Sequence, residues 1–167
     1  VHQVVPESVA IHLFGLARIQ AMDRFASLGV RSVDSASLLR RAWMGTGQNY
    51  LSFDGTFFSA IRVPEANKSF RAKRMVSEGR ADASAVERLE KACMRALNAY
   101  DLGELSLDLV LNTLRDYDHL ITPDRPDTSD FYRQTLEAAP WKSCPCEICR
   151  KDGIQVVIFR GNNRNRR

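Results

Sequence analysis

Three cysteines within six residues, Cys144-Pro145-Cys146-Glu147-Ile148-Cys149, constrain this chain more than any other feature of its sequence. They are too close together to staple distant segments by disulfides, whereas thiolates at this spacing can converge on one metal ion. Zn²⁺ wants four ligands in a tetrahedron, and no fourth Cys lies nearby. Cys93 falls in a helical apolar stripe and reads as a buried small hydrophobe. His2, His12 and His119 are possible ligands, and each also reads as an ordinary core or surface histidine. The sequence thus predicts a structural zinc loop with Cys144, Cys146 and Cys149 as ligands, and a reducing compartment.

The 167 residues are 44% hydrophobic and 26% charged, which is the composition of a globular chain and not of a collagen, a disordered tail or a disulfide scaffold. No run approaches the roughly 18 apolar residues of a membrane helix, and the start lacks the pattern of a signal peptide. The expectation is a soluble, cytoplasmic chain with no membrane partner. It opens at Val1 and stops at Arg167 just after a strand-like run, so it reads as a fragment of a longer protein.

The net charge of +4 is unevenly placed: from Trp141 onward seven Lys/Arg face only Glu147 and Asp152. A basic end of this kind fits either a polyanion partner or a solvated surface.

The apolar run at 10–17 reads as a strand buried on both faces, with Phe14 in the core by default. A helix carrying Ile19, Met22, Phe25 and Ala26 follows and stops at Gly29, and 30–36 reads as a second strand. This is the strand, helix, strand unit of a parallel sheet. Another helix is expected over 37–44. Asp54-Gly55 between two strand-like runs predicts a β-hairpin. Ser84 and Glu87 form a capping box ahead of the stripe Val86, Leu89, Cys93, Leu97 and Tyr100. Ser106 caps a second long helix striped by Leu107, Val110, Leu111, Leu114 and Tyr117, and Gly103 separates the two as an antiparallel pair. A shorter helix over 129–138 leads to the cysteine loop, and 154–159 reads as a final strand.

Asp34 follows the strand-like Val30-Arg31-Ser32-Val33, where its carboxylate would sit at the C-terminal end of a parallel strand, as catalytic groups do in α/β barrels. As a bare pattern, it is better explained as a cap on the helix that starts near Ser37. Arg40 and Arg41 on that helix suit phosphate or solvent.

In their order these motifs resemble the tRNA-guanine transglycosylase family. The matching residues are His12-Leu13-Phe14-Gly15, then Gly29 to Val33 with Asp34-Ser35-Ala36-Ser37, then the Asp-Gly hairpin, then the Cys-x-Cys-x-x-Cys loop. The Asp-Ser-Ala-Ser wording is closest to archaeal members. Arg31, Val33 and Leu38-Leu39-Arg40 depart from the family's pattern, and the helical stretch 84–120 is longer than expected. The closing segment, Ile158 to Arg167, resembles the branch known as DpdA, which places 7-deazaguanines in DNA.

The resemblance implies an α/β fold, the C-terminal part of a TIM (β/α)8 barrel with an inserted zinc-binding subdomain and helical pair. A whole barrel needs about 250 residues. Residues 1–48 would be the last barrel strands and helices, 49–140 the hairpin and helical insertion, and 141–167 the zinc loop and basic end. It implies base exchange, guanine leaving and a 7-deazaguanine entering through a covalent Asp-sugar ester. Asp34 matches the nucleophile, and Phe14, Gly15 and Arg40 match substrate-binding positions. Arg160, Arg164, Arg166 and Arg167 are expected to bind nucleic acid, DNA in the first place and tRNA as the runner-up. The general acid/base Asp lies earlier in the family's barrel, and the fourth zinc ligand is a His after the last strand. The other expected partners are the 7-deazaguanine base and a second copy or a modification-complex subunit. The reading from a different class is a non-catalytic zinc module that binds nucleic acid.

Overall fold

The computed structural model describes residues 6, 8–16, 18–45 and 47–161. It is a mixed α/β structure of two compact units, residues 1–44 and 45–167. The boundary lies at Met44/Gly45, and the hairpin, the long helices and the cysteine loop share the second unit. No helix among the described residues is long and apolar enough to cross a membrane.

In the first unit β1 (Ile11–Leu13) pairs in parallel with β2 (Val30–Val33), and α1 (Met22–Ser27), entered through a 3-10 turn, connects them. Gly29 takes φ +81°, the left-handed conformation that ends α1 and turns the chain into β2. The helix α2 (Ser37–Met44) follows. The apolar run expected to be a long buried strand is shorter than that. Only three residues pair, each half-buried or exposed, and Phe14 stands 86% exposed in the turn that follows. The parallel ladder continues past Leu13 only through the Asp34 N–H, which donates to the Leu13 carbonyl at 3.1 Å. Ala17 lies outside the described residues.

The second unit opens with the hairpin β3 (Tyr50–Leu51) and β4 (Phe57–Phe58). Its connection is a three-residue loop. Ser52 and Thr56 close it through a backbone bond of 2.9 Å, and only Gly55, at φ +87°, takes positive φ. Asp54 accepts from Ser52 Oγ at 2.5 Å and from the Thr56 N–H at 2.9 Å, which holds its carboxyl below the usual range. β5 (Ile61–Arg62) then pairs in parallel with β6 (Ile158–Phe159).

The core lies between α4 (Ala83–Asp101) and α5 (Leu107–Ile121), where Val86, Cys93, Leu97, Val110, Leu111, Leu114 and Tyr117 are buried. At about 1.5–3 kcal/mol per large side chain removed from water, this seam is the main stabilising term of the unit. Ile61 and Val63 from the β5 region, together with Leu136 from α6 (Ser129–Ala138), complete it. The cap of α4 is Asp82 and not the expected Ser84. Asp82 accepts from the Ala85 N–H at 2.8 Å, and Ser84, already inside the helix, donates to Asp82. An ionised carboxylate two residues upstream out-competes a hydroxyl for the same orphan N–H groups. A further helix, α3 (Phe70–Ser77), starts at Ser69, whose hydroxyl accepts from the Ala72 N–H. The last stretch also differs from expectation. Residues Gly153–Val157 form a 3-10 helix and only Ile158–Phe159 are strand.

Candidate functional site

The two strands of the first unit end side by side, and this places the Asp34 carboxylate. Gly15, at φ +72°, turns its N–H toward the neighbouring strand end and donates to Asp34 Oδ1 at 2.8 Å. Oδ2 lies 3.8 Å from His12 Nε2, while His12 Nδ1 lies 2.8 Å from Ser32 Oγ. The carboxylate is thus oriented by a backbone donor yet remains 53% exposed. It does not cap α2. Ser35 Oγ accepts from the Ser37 N–H at 3.1 Å and takes that role. Phe14 and Gly15 therefore flank Asp34 at the open end of the strand pair. Arg40 lies exposed on α2, its N–H bonded to the Ala36 carbonyl at 2.7 Å.

In the second unit the sulfur atoms of Cys144, Cys146 and Cys149 lie within 4.8 Å of one another. Four thiolates around Zn²⁺ at about 2.3 Å would sit about 3.8 Å apart, so the trio closes on an ion with a shift of about an ångström. A soft three-sulfur donor set therefore fits a tetrahedral metal ion, and the three residues could hold one. Two short helices build the loop. α7 (Pro140–Ser143) starts with proline at its first position and follows Ala139, which is itself left-handed at φ 41°. α8 (Glu147–Asp152) uses Cys146 as its cap, whose sulfur accepts from the Cys149 N–H at 3.4 Å. That bond pulls the Cys146 thiol below its ordinary range, whereas burial first and the neighbouring sulfurs next push Cys149 up to about 12.

Tyr50 was not legible as part of this site. From β3 its phenol reaches Cys149, and burial together with the adjacent cysteines pushes it up to about 12. His119 is exposed on α5 and does not join the sulfur trio; His2 lies outside the described residues. Cys93 is fully buried, bonded to the Thr113 carbonyl and raised to about 12 by burial, as a core thiol is.

Arg160 is held inside the fold. Its Nη1 donates to the Val63 carbonyl at 2.8 Å and its Nη2 meets Glu90, with 12% of the side chain exposed. Arg164, Arg166 and Arg167 lie outside the described residues.

No protein-family model matches the chain. Over 159 residues, 94% of its length, the chain is 37% identical to the DNA-guanine transglycosylase of Salmonella montevideo, and it spans 38% of that relative.

Proposed function

We propose that the chain forms part of a base-exchanging transglycosylase that replaces guanine in DNA by a 7-deazaguanine. The observation that carries this reading is the likeness to a DNA-guanine transglycosylase along nearly the whole chain, which includes the Asp34 strand end. In this reading, an oxygen of Asp34 attacks the anomeric carbon of the target nucleotide, the bond to guanine N9 breaks, and its electron pair leaves with the base. The incoming base then attacks the same carbon from the vacated face, its ring nitrogen forms the new bond, and the Asp34-sugar ester opens. The proton that guanine gains and the one that the incoming base loses pass through a general acid/base Asp, which the family carries earlier in its barrel.

The geometry supports these roles. The Gly15 N–H fixes one Asp34 oxygen, the other lies 3.8 Å from His12 Nε2 on a side chain that is half exposed, and the exposed ring of Phe14, the residue before Gly15, can lie against a flat base. Gly15, whose added Cβ would meet nothing within 4 Å, lets the base approach the backbone. Arg40 would meet a backbone phosphate. The strand pair then belongs to the end of a (β/α)8 barrel. Cys144, Cys146 and Cys149 would hold Zn²⁺ with a fourth ligand from outside the described residues. The ion's contribution would be structural, joining α7 and α8.

The test offers the protein, made with all the sequence its gene encodes, duplex DNA, single-stranded DNA and unmodified tRNA together with a labelled 7-deazaguanine. Label in DNA supports the reading. Label only in tRNA transfers the chemistry to tRNA, and label in neither, with nucleic acid still bound, leaves a non-catalytic binding module.

A further inference from the structure

A cleft of about 500 Å³ opens in the second unit between the first turn of α3, the end of α5 and the β5–β6 edge. Its walls carry five cationic side chains and two carboxylates. Glu65 is paired with Lys68 at 2.8 Å, and Arg160 with Glu90. Arg71 and Arg125 line the same cleft as Arg62 and Asp118. Arg62 is fixed as a wall, with its Nη2 donating to the Gly45 carbonyl at 2.6 Å and its guanidinium 5.0 Å from the centre of the Phe159 ring. Arg71 is exposed and Arg125 half-buried, and neither closes an ion pair with a carboxylate among the described residues. Phe70, 78% exposed, stands on the rim.

Like charges gathered on a concave surface focus a positive potential there. Burial first, and then Arg125 and Arg71, hold the Arg62 guanidinium below its ordinary range, while burial raises the Asp118 carboxyl against the pull of Arg125 and Arg62. With five cationic side chains against two carboxylates on its walls, the cleft carries a surplus of positive charge that an anion from solution would offset. The first turn of α3 lies on the wall and adds the positive end of its dipole. A bare phenyl ring beside guanidiniums is the pairing that single-stranded nucleic acid uses, since phosphates meet the cations and an unpaired base stacks on the ring. Gly161 lies on the same wall, and the Arg/Asn-rich residues 162–167 follow it in sequence.

We propose that this cleft binds an unpaired DNA strand, with phosphates at Arg71 and Arg125 and a base stacked on Phe70. The proposal rests on DNA as the polymer and adds to it a second contact area, in a different unit from Asp34. It also gives a reason for an opened strand, because a nucleotide whose sugar is attacked must leave the stack.

The test measures binding of the full chain to a short fluorescein-labelled single strand by anisotropy, across a salt series. Arg71→Gln should weaken binding several-fold and make the slope of log K against log salt shallower by about 0.7, one phosphate contact on a single strand. Phe70→Ala should weaken single-strand binding roughly fivefold or more while leaving duplex binding unchanged. Both side chains are exposed, so both variants should fold. Arg95→Gln, the same charge change on an exposed face of α4 outside the cleft, should bind as the unaltered chain does. An unaltered chain that binds no single strand overturns the proposal. So do Arg71 and Phe70 variants that bind like Arg95→Gln. The labelled-base assay reads the transglycosylase chemistry separately: incorporation into DNA with unchanged binding in these variants would remove the cleft and keep the chemistry.

Discussion

Trp141 and Asp101 join the cysteine loop to the long helix pair: the buried indole donates from Nε1 to Asp101 Oδ1 at 2.8 Å. The other oxygen of the same carboxylate accepts from the Ile154 N–H at 3.1 Å, and Lys142 Nζ approaches Oδ1 at 3.3 Å. One side chain at the end of α4 thus holds α7 and the 3-10 segment on either side of the three cysteines. Gly153 makes this possible, since a Cβ there would come within 2.9 Å of Asp101 Oδ2. Asp101→Ala leaves the Trp141 and Ile154 N–H groups without their acceptor, and each such buried group costs about 1–3 kcal/mol. The expected result is a loss of about 2–4 kcal/mol in denaturant unfolding. A loss under about 0.5 kcal/mol would show that the carboxylate does not hold the loop.

A second buried contact ties the β6 end to α4. Glu90 accepts from Arg160 and, through its other oxygen, from the Ala66 N–H at 2.8 Å. Both side chains of the ion pair are largely buried, at 12% and 16% exposure. Removing one member of such a pair strands the other charge, and typical penalties are about 3–5 kcal/mol. Glu90→Ala should therefore destabilise strongly, and a Glu90→Ala/Arg160→Met double variant should recover part of the loss. Additive losses in this cycle would show that the two do not interact.

The cysteines should differ in reactivity once any metal is stripped. Thiolate is the reacting form, so a thiol whose range is lowered reacts at a lower pH, and a raised one waits for a higher pH. Exposed Cys146, lowered by the Cys149 N–H, should be alkylated first as pH rises. Cys149 and Cys93, both raised to about 12, should follow only at higher pH or on unfolding. Mass-spectrometric mapping of iodoacetamide adducts checks the order. A bound Zn²⁺ should protect Cys144, Cys146 and Cys149 together and leave the behaviour of Cys93 unaltered.

The parts of the fold that were legible are those fixed by local pattern. The α4 and α5 stripes follow from 3.6-residue spacing, and the turn at Gly29 and the hairpin at Gly55 follow from glycine's access to positive φ. The sulfur trio was legible because its ligands are close in sequence. What was not legible depends on partners far along the chain. Residues 154–157 are apolar enough for a strand, but Asp101, 53 positions away, takes the Ile154 N–H and favours a 3-10 turn. α3 escaped notice because it buries only Ala72 and Met75, too few for a stripe. Arg160 reads as a surface cation in sequence, and its partner Glu90 lies 70 positions away. Tyr50 is likewise remote in sequence from Cys149, which it touches.

Asp34→Asn separates the two roles that a carboxylate at a strand end can have. The amide oxygen of Asn can still accept from the Gly15 N–H at the place Oδ1 holds, and Ser35 already serves the start of α2. Stability should therefore change by no more than about 0.5 kcal/mol, as for a surface replacement that keeps its hydrogen bond. Chemistry should respond differently, because an amide is a poor nucleophile toward the anomeric carbon and does not form the ester that splits the exchange into two displacements. In the protein made with all its encoded sequence, base exchange should fall by at least about 10³-fold, while nucleic-acid binding stays near that of the unaltered protein. Gly15→Ala supplies the complementary measurement. It forces a side chain into φ +72°, which costs about 1 kcal/mol, and it disturbs the donor that orients Asp34 without removing the carboxylate. That variant should retain partial exchange with lowered kcat. An Asp34→Asn protein that still exchanges base at a near-normal rate would assign the carboxylate to holding the strand ends together and place the nucleophile elsewhere.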